Sequence, residues 1–237
     1  MMNYKSTKGF TLAEVLITLG IIGVVAALTI PALIQNVSNR DVETKLKKFY
    51  TTINEARKFA EAEFGNDNLW FSDTSGPILD NDGNPIEGSS KQRIWFEKYF
   101  AKYLKIQKVE VDETGTPIFY FMDGTALSFA SHTTRDWILY TEDPAKCLKK
   151  HVSIDDAAGC CVFYFNYLPG TIEQSDPEDD YWADLRGKGI VPYKYAWMGS
   201  ISKMQDNCKP GNNGKYCTAL IEMNGWKIPD NYPRKVD

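Results

Sequence analysis

Lys8-Gly9-Phe10-Thr11-Leu12-Ala13-Glu14-Val15-Leu16 is the stretch on which the reading of this chain turns. Lys5 stands in front of it, Lys8 opens it, Glu14 lies inside it, and no further charged side chain appears until Arg40. The uncharged residues between are mostly aliphatic. As a helix, Val15 to Ile34 spans roughly 30 Å, enough to cross the hydrocarbon core of a bilayer. With the lysines ahead of the apolar run, the amino end is expected to stay cytoplasmic while the bulk is exported.

Three kinds of segment could read this way. A cleaved secretory signal has an apolar region of about 7–15 residues and a small-residue cleavage site behind it. Ala26-Ala27 is a poor version of that site, and the apolar run continues past it. An ordinary signal anchor explains the length and the lysines but gives Glu14 no purpose.

The third kind accounts for every feature. Lys8 to Leu16 resembles the processing motif of type IV prepilins and type II secretion pseudopilins. The resemblance implies cleavage after Gly9 by a prepilin peptidase, N-methylation of Phe10, and a leader of residues 1–9. Counted from Phe10, Glu14 is the fifth residue, where the family carries its signature glutamate. Pro31 is the twenty-second, where many members carry a helix-loosening proline. Gly9 offers a protease unobstructed backbone. A carboxylate near a membrane boundary needs a partner, and the family supplies the amino terminus of a neighbouring subunit. Pro31 removes one helical hydrogen bond and is expected to kink or melt its surroundings, with Gly20 and Gly23 weakening the same stretch.

Beyond the apolar run the periodicity changes. Val42, Leu46, Phe49, Ile53, Ala56 and Ala60 recur at three- and four-residue steps among charged residues, and Gly65 follows. One helix is therefore expected from about Thr11 to Phe64, its first half in membrane or filament and its second half the spine of a head. Residues 65–90 read as loop, with a tight hairpin at Asp82-Gly83. A helix is expected over Lys91–Leu104, then strands at Ile106–Val111, Pro117–Met122, Ala126–Ala130, Trp137–Tyr140 and Cys161–Tyr167. Residues 168–237 alternate turn residues with short apolar patches, with a short helix over Thr218–Asn224. The fold class is α+β: a long N-terminal helix packed on an antiparallel sheet, pilin-like. Its division is leader 1–9, membrane or filament-core helix 10–34, and exported head 35–237.

Composition sets bounds on function. In 237 residues, hydrophobic side chains make up 43% and charged ones 24%, so the chain can bury a core. A net charge of −4 without a basic run points away from nucleic acid. The five cysteines, Cys147, Cys160, Cys161, Cys208 and Cys217, lie in the exported part, where disulfides are favoured. Cys208 and Cys217 enclose a turn-rich loop that a bridge would rigidify, and the family often carries a carboxy-terminal disulfide loop. Cys147 with Cys160 or Cys161 is the second expected pair, leaving one cysteine buried or as a contact thiol. Paired C-x-x-C motifs are missing and His132 and His151 stand apart, so no zinc site is read. Asp80, Asp82 and Asn84 superficially suggest a calcium loop, but Lys91 stands where its glutamate belongs, and a turn is read instead. Asp176, Glu178, Asp179 and Asp180 read as a solvated loop. No phosphate loop or catalytic motif is present.

The function expected is a structural subunit, minor given its size, of a type IV pilus or type II secretion pseudopilus, without cofactor or catalysis. The alternative is a filament-tip or membrane-anchored binding protein, an adhesin or a DNA or substrate receptor. Expected partners are the prepilin peptidase, sister subunits, and the inner-membrane assembly platform with its ATPase. The expected location is the inner membrane, single-pass with a periplasmic head, and then the filament.

Overall fold

A computed structural model of the protein describes residues 9–130, 133–170, 185–197 and 199–237. Helix α1 runs from Leu12 to Phe64, and its two halves obey different rules. Aliphatic residues of the first half are exposed, from Leu12 at 78% through Leu28 at 75% to Ile34 at 60%. From Val42 onward one stripe turns inward: Val42, Leu46, Phe49, Ile53, Ala56 and Ala60 are all buried. Steps of four and three residues keep that stripe on one face. Gly65 then leaves the helix at φ 86°, a conformation open to glycine, and its N–H still donates to Glu61 O at 3.0 Å. The helix is continuous through Pro31, so the expected melting is not seen there. The helical φ suits proline, and only one ladder bond is lost.

The stripe packs on a six-stranded antiparallel meander: β1 (Ile106–Val111), β2 (Pro117–Phe121), β3 (Ala126–Phe129), β4 (Asp136–Tyr140), β5 (Val162–Tyr167) and β6 (Ile190–Pro192). Alternation sorts the side chains between two faces. Phe119, Leu127, Phe129, Trp137, Leu139, Phe163 and Phe165 join α1 and α2 (Lys91–Tyr99) in one core. Ala126, Ile138, Tyr140, Val162 and Tyr164 form a second core on the opposite face. That face is shared with α3 (Pro144–Lys149), α4 (Ile154–Ala157), α5 (Ile201–Asn207) and α6 (Cys217–Met223). Every residue of β5 is buried, as expected of a strand covered on both sides.

The first core is dominated by rings. Phe96 stacks on Phe100 with centroids 5.3 Å apart, and Trp137 meets both edge-on. The three buried indole N–H groups of this core are satisfied: Trp95 donates to Trp70 O, Trp70 to Gly65 O and Trp137 to Thr134 O. Buried charge is also paired. Asp67 accepts from Arg57 at 2.8 Å and from the Tyr167 hydroxyl at 3.0 Å.

The strand register follows the alternation, but several expected bounds require correction. The helix expected over Lys91–Leu104 stops at Tyr99, with a 3-10 turn at Ala101–Tyr103, because Phe100 leaves helical geometry to bury its ring completely. Helices α3, α4 and α5 and strand β6 were not expected at all. Strand β6 is three residues long and is held from both sides, by β5 and by the Asn54 side chain of α1. The tail then turns back to α1. Ile228 N donates to Glu43 at 2.9 Å, Trp226 packs on Tyr50, and Gln35 Nε2 reaches Val236 O at 3.3 Å.

Candidate functional site

At the amino end of α1, Gly9 and Phe10 are exposed, Phe10 at 89%. Thr11 is extended and caps the helix. Its Oγ1 accepts from Glu14 N at 3.3 Å. In return Glu14 Oε2 accepts from both Thr11 N and Thr11 Oγ1, each at 2.8 Å. This reciprocal capping box satisfies donors that a helix start leaves orphaned. Both bonds fall on Oε2, and no donor among the described residues is given to Oε1. Thr18 and Thr29 return their hydroxyls to the carbonyls of Glu14 and Val25, at 2.9 Å each, so neither hydroxyl is a bare donor on the apolar flank. A window of α1 has mean hydropathy 2.4, and none of it is buried by the rest of the chain. Gly20 and Gly23 face open space, and Pro31 is exposed within the same helix.

In the head, Cys208 bonds to Cys217 and Cys147 to Cys161, with Cα separations of 5.0 and 5.9 Å. Cys160 is the free thiol and is buried. Burial pushes its pKa up to about 11, and its Sγ donates to Asp156 O at 3.7 Å. Arg234 is the organiser of this end. Its Nε donates to Cys208 O, one terminal nitrogen to Asp155 O and Asp156 O, and the other to Lys209 O and Asn212 O, at 2.6 to 3.0 Å. One buried guanidinium thus ties the tail to the Cys208–Cys217 loop and to the carbonyls closing α4. Nothing in the sequence around Arg234 signals this, since its partners lie 22 to 79 positions away.

Asp80 is consumed by its turn. Its Oδ1 accepts from Asp82 N at 2.9 Å and Asn84 N at 2.8 Å, and the Asn84 backbone donor is the largest cause holding its carboxyl below the usual range. His151 lies between two carboxylates, 3.1 Å from Asp156 and 2.9 Å from Asp237. His132 and the acidic run at 176–180 fall outside the described residues. A groove of about 440 Å³ lies between α1 and the β2–β3 turn. Phe49, Tyr103 and Met122 line it, along with the Lys48–Asp123 ion pair.

The geometry brings Gly9, Phe10 and Glu14 into one exposed helix start and sets Cys147, Cys161, Cys208 and Cys217 in the head's second core. Residues 4–30 match the Prokaryotic N-terminal methylation motif, which marks a type IV prepilin- or pseudopilin-type protein. No curated protein and no solved structure matches the chain. Residues 32–236 match the Family of unknown function (DUF6613), and with nearly the whole head and lower stem covered, the chain belongs to that family.

Proposed function

We propose that this chain is a structural filament subunit, a minor one, of a type IV pilus or type II secretion pseudopilus. Residues 1–9 act as the leader removed by prepilin peptidase, residues 10–34 as membrane and then filament-core helix, and residues 35–237 as the exported head. The observation that carries this reading is the exposed apolar half of α1, beginning at the methylation motif. Lipid satisfies that surface before assembly and sister stems satisfy it afterwards, since either removes it from water. Glu14 divides its carboxylate between two tasks: Oε2 closes the helix start, and Oε1 stays available to the amino terminus of a sister subunit. An ion pair in such low-dielectric surroundings is far stronger than in water. The platform and ATPase of the assembly machine supply the lift from the inner membrane, and the chain itself catalyses nothing.

Fractionation tests the reading. Cells are sheared, and the chain is quantified in the fibre pellet and in the membrane, with and without the assembly ATPase. The proposal expects protein in both fractions, with the fibre pool lost when the ATPase is absent. A chain found only in the membrane under both conditions overturns the filament role.

A further inference from the structure

The α3–α4 connection and the start of β5 meet the tail, which is 86 positions from His151. A ring nitrogen of His151, Cys161 Sγ and a carboxylate oxygen of Asp237 all lie within 4.8 Å of one another. Cys147 Sγ lies one disulfide bond beyond that cluster, bonded to Cys161 Sγ. The sulfurs are on fully buried residues, while the His151 and Asp237 side chains are 12% and 23% exposed. The cluster therefore has a soft, dry side and a hard side open to solvent. Lys150 lies 3.8 Å from Asp237 and pairs more closely with Glu142, at 2.6 Å.

His151 has a carboxylate oxygen at each ring nitrogen. Nδ1 is 3.1 Å from Asp156 and Nε2 is 2.9 Å from Asp237. Ionised carboxylates only accept, and a neutral imidazole has a single N–H. If that N–H serves Asp156, the lone pair of Nε2 faces an Asp237 oxygen, and only a proton or a cation reconciles them. Histidines that hold metals commonly give their second N–H to a carboxylate in this way.

We propose that the thiol form of Cys147 and Cys161, together with His151 and Asp237, is a four-ligand site for a zinc-class divalent ion, and that this site and the disulfide exclude each other. Two thiolates, one imidazole and one carboxylate are a fitting donor set for zinc, whose bonds of about 2.0–2.3 Å draw ligand atoms to within about 4 Å of one another, so the cluster tightens from its 4.8 Å spread as the ion enters. A dithiol reductant delivers two electrons and two protons to the Cys147–Cys161 bond and closes to its own disulfide. The divalent ion then displaces the two thiol protons and keeps its oxidation state. Oxidation of the pair by a disulfide-donating oxidant runs the sequence backwards and releases the ion. The sequence shows no such site because its four ligands come from three separate segments.

The test is cobalt(II) titration of the detergent-solubilised full chain, before and after reduction by a dithiol. The reduced chain should bind one equivalent, with thiolate-to-cobalt charge-transfer absorption displaced by zinc(II), and the oxidised chain none. Cys147→Ser or His151→Ala should abolish the signal. Asp156→Asn should weaken binding by about 10- to 100-fold. Cys160→Ser and the paired Cys208→Ser, Cys217→Ser change should leave it intact. Should reduction loosen the head, zinc should restore its circular dichroism. No binding after reduction overturns the proposal, as does binding indifferent to His151→Ala, binding lost in Cys160→Ser, or a reduced head that zinc leaves unfolded.

Discussion

Glu14 and Thr11 hold each other through three hydrogen bonds, two of them on a single oxygen of the Glu14 carboxylate. The helix-capping bonds leave room for the proposed docking role of Glu14, and the two can be separated. Glutamine also serves at this position of a capping box, whereas alanine cannot. Glu14→Gln should keep the helix start while removing the charge. If the charge drives assembly, Glu14→Gln and Glu14→Ala should both lose most of the sheared fibre pool. Recovery of the Glu14→Gln chain in fibres at wild-type level would show that only the cap mattered.

Asn54 and Ile190 make a second separable pair. The amide of Asn54 donates to Ile190 O at 2.8 Å and accepts from Ile190 N at 3.0 Å, doing for the edge strand what a neighbouring strand would do. Asn54→Ala should cost about 1–3 kcal/mol, the penalty for leaving such groups unpaired. Gly189, at φ 79°, leaves no room: an added Cβ would lie 2.5 Å from Asn54 Oδ1. Gly189→Ala should destabilise the head more than Asn54→Ala does, and part of that loss should disappear in the double variant. Strictly additive losses in a denaturant titration would contradict the clash.

These two pairs show where sequence reading stops. The α1 stripe and strands β1 to β5 are legible because 3.6- and two-residue periods are local properties of a chain. So is Gly65, where a helix needs a left-handed exit. Strand β6 is too short to show a period, and its stability comes from Asn54, 136 positions earlier. Helix α3 carries a local signal, Asp143 as cap before Pro144 at the first turn, but at six residues it is too short to show a helical period. Glu14 was legible as a charge in an apolar setting, but its bond to Thr11 depends on where the helix begins. The Arg234 and His151 clusters were invisible, because each joins segments that only the folded sheet brings together.

Arg234 should be the most damaging single loss in the head. Removing its side chain takes a donor from five carbonyls at once, of which Asp156 O and Lys209 O keep another, and Arg234→Ala should cost about 3–4 kcal/mol. Arg234→Lys should rescue only part, since an ammonium has three donors and no planar fork. A loss below about 1 kcal/mol in urea unfolding, on the scale of a surface substitution, would contradict the hub.

Cys160 should be chemically quiet. With its pKa raised by burial to about 11, only a small fraction is thiolate at pH 8. Iodoacetamide should therefore leave the native head unlabelled and modify one cysteine after denaturation without reductant. Non-reducing peptide mapping should place the remaining four as Cys147–Cys161 and Cys208–Cys217. Rapid labelling of the folded chain would show that Cys160 is not enclosed.

The amino terminus of the mature chain tests the account most directly. Intact and N-terminal peptide mass spectrometry of the membrane-extracted protein should show a chain beginning at Phe10 with one added methyl group. Gly9→Val should leave residues 1–9 attached, because the branched side chain obstructs the peptidase's approach. A wild-type chain that still begins at Met1, or one that begins near Ala27, would contradict the prepilin account.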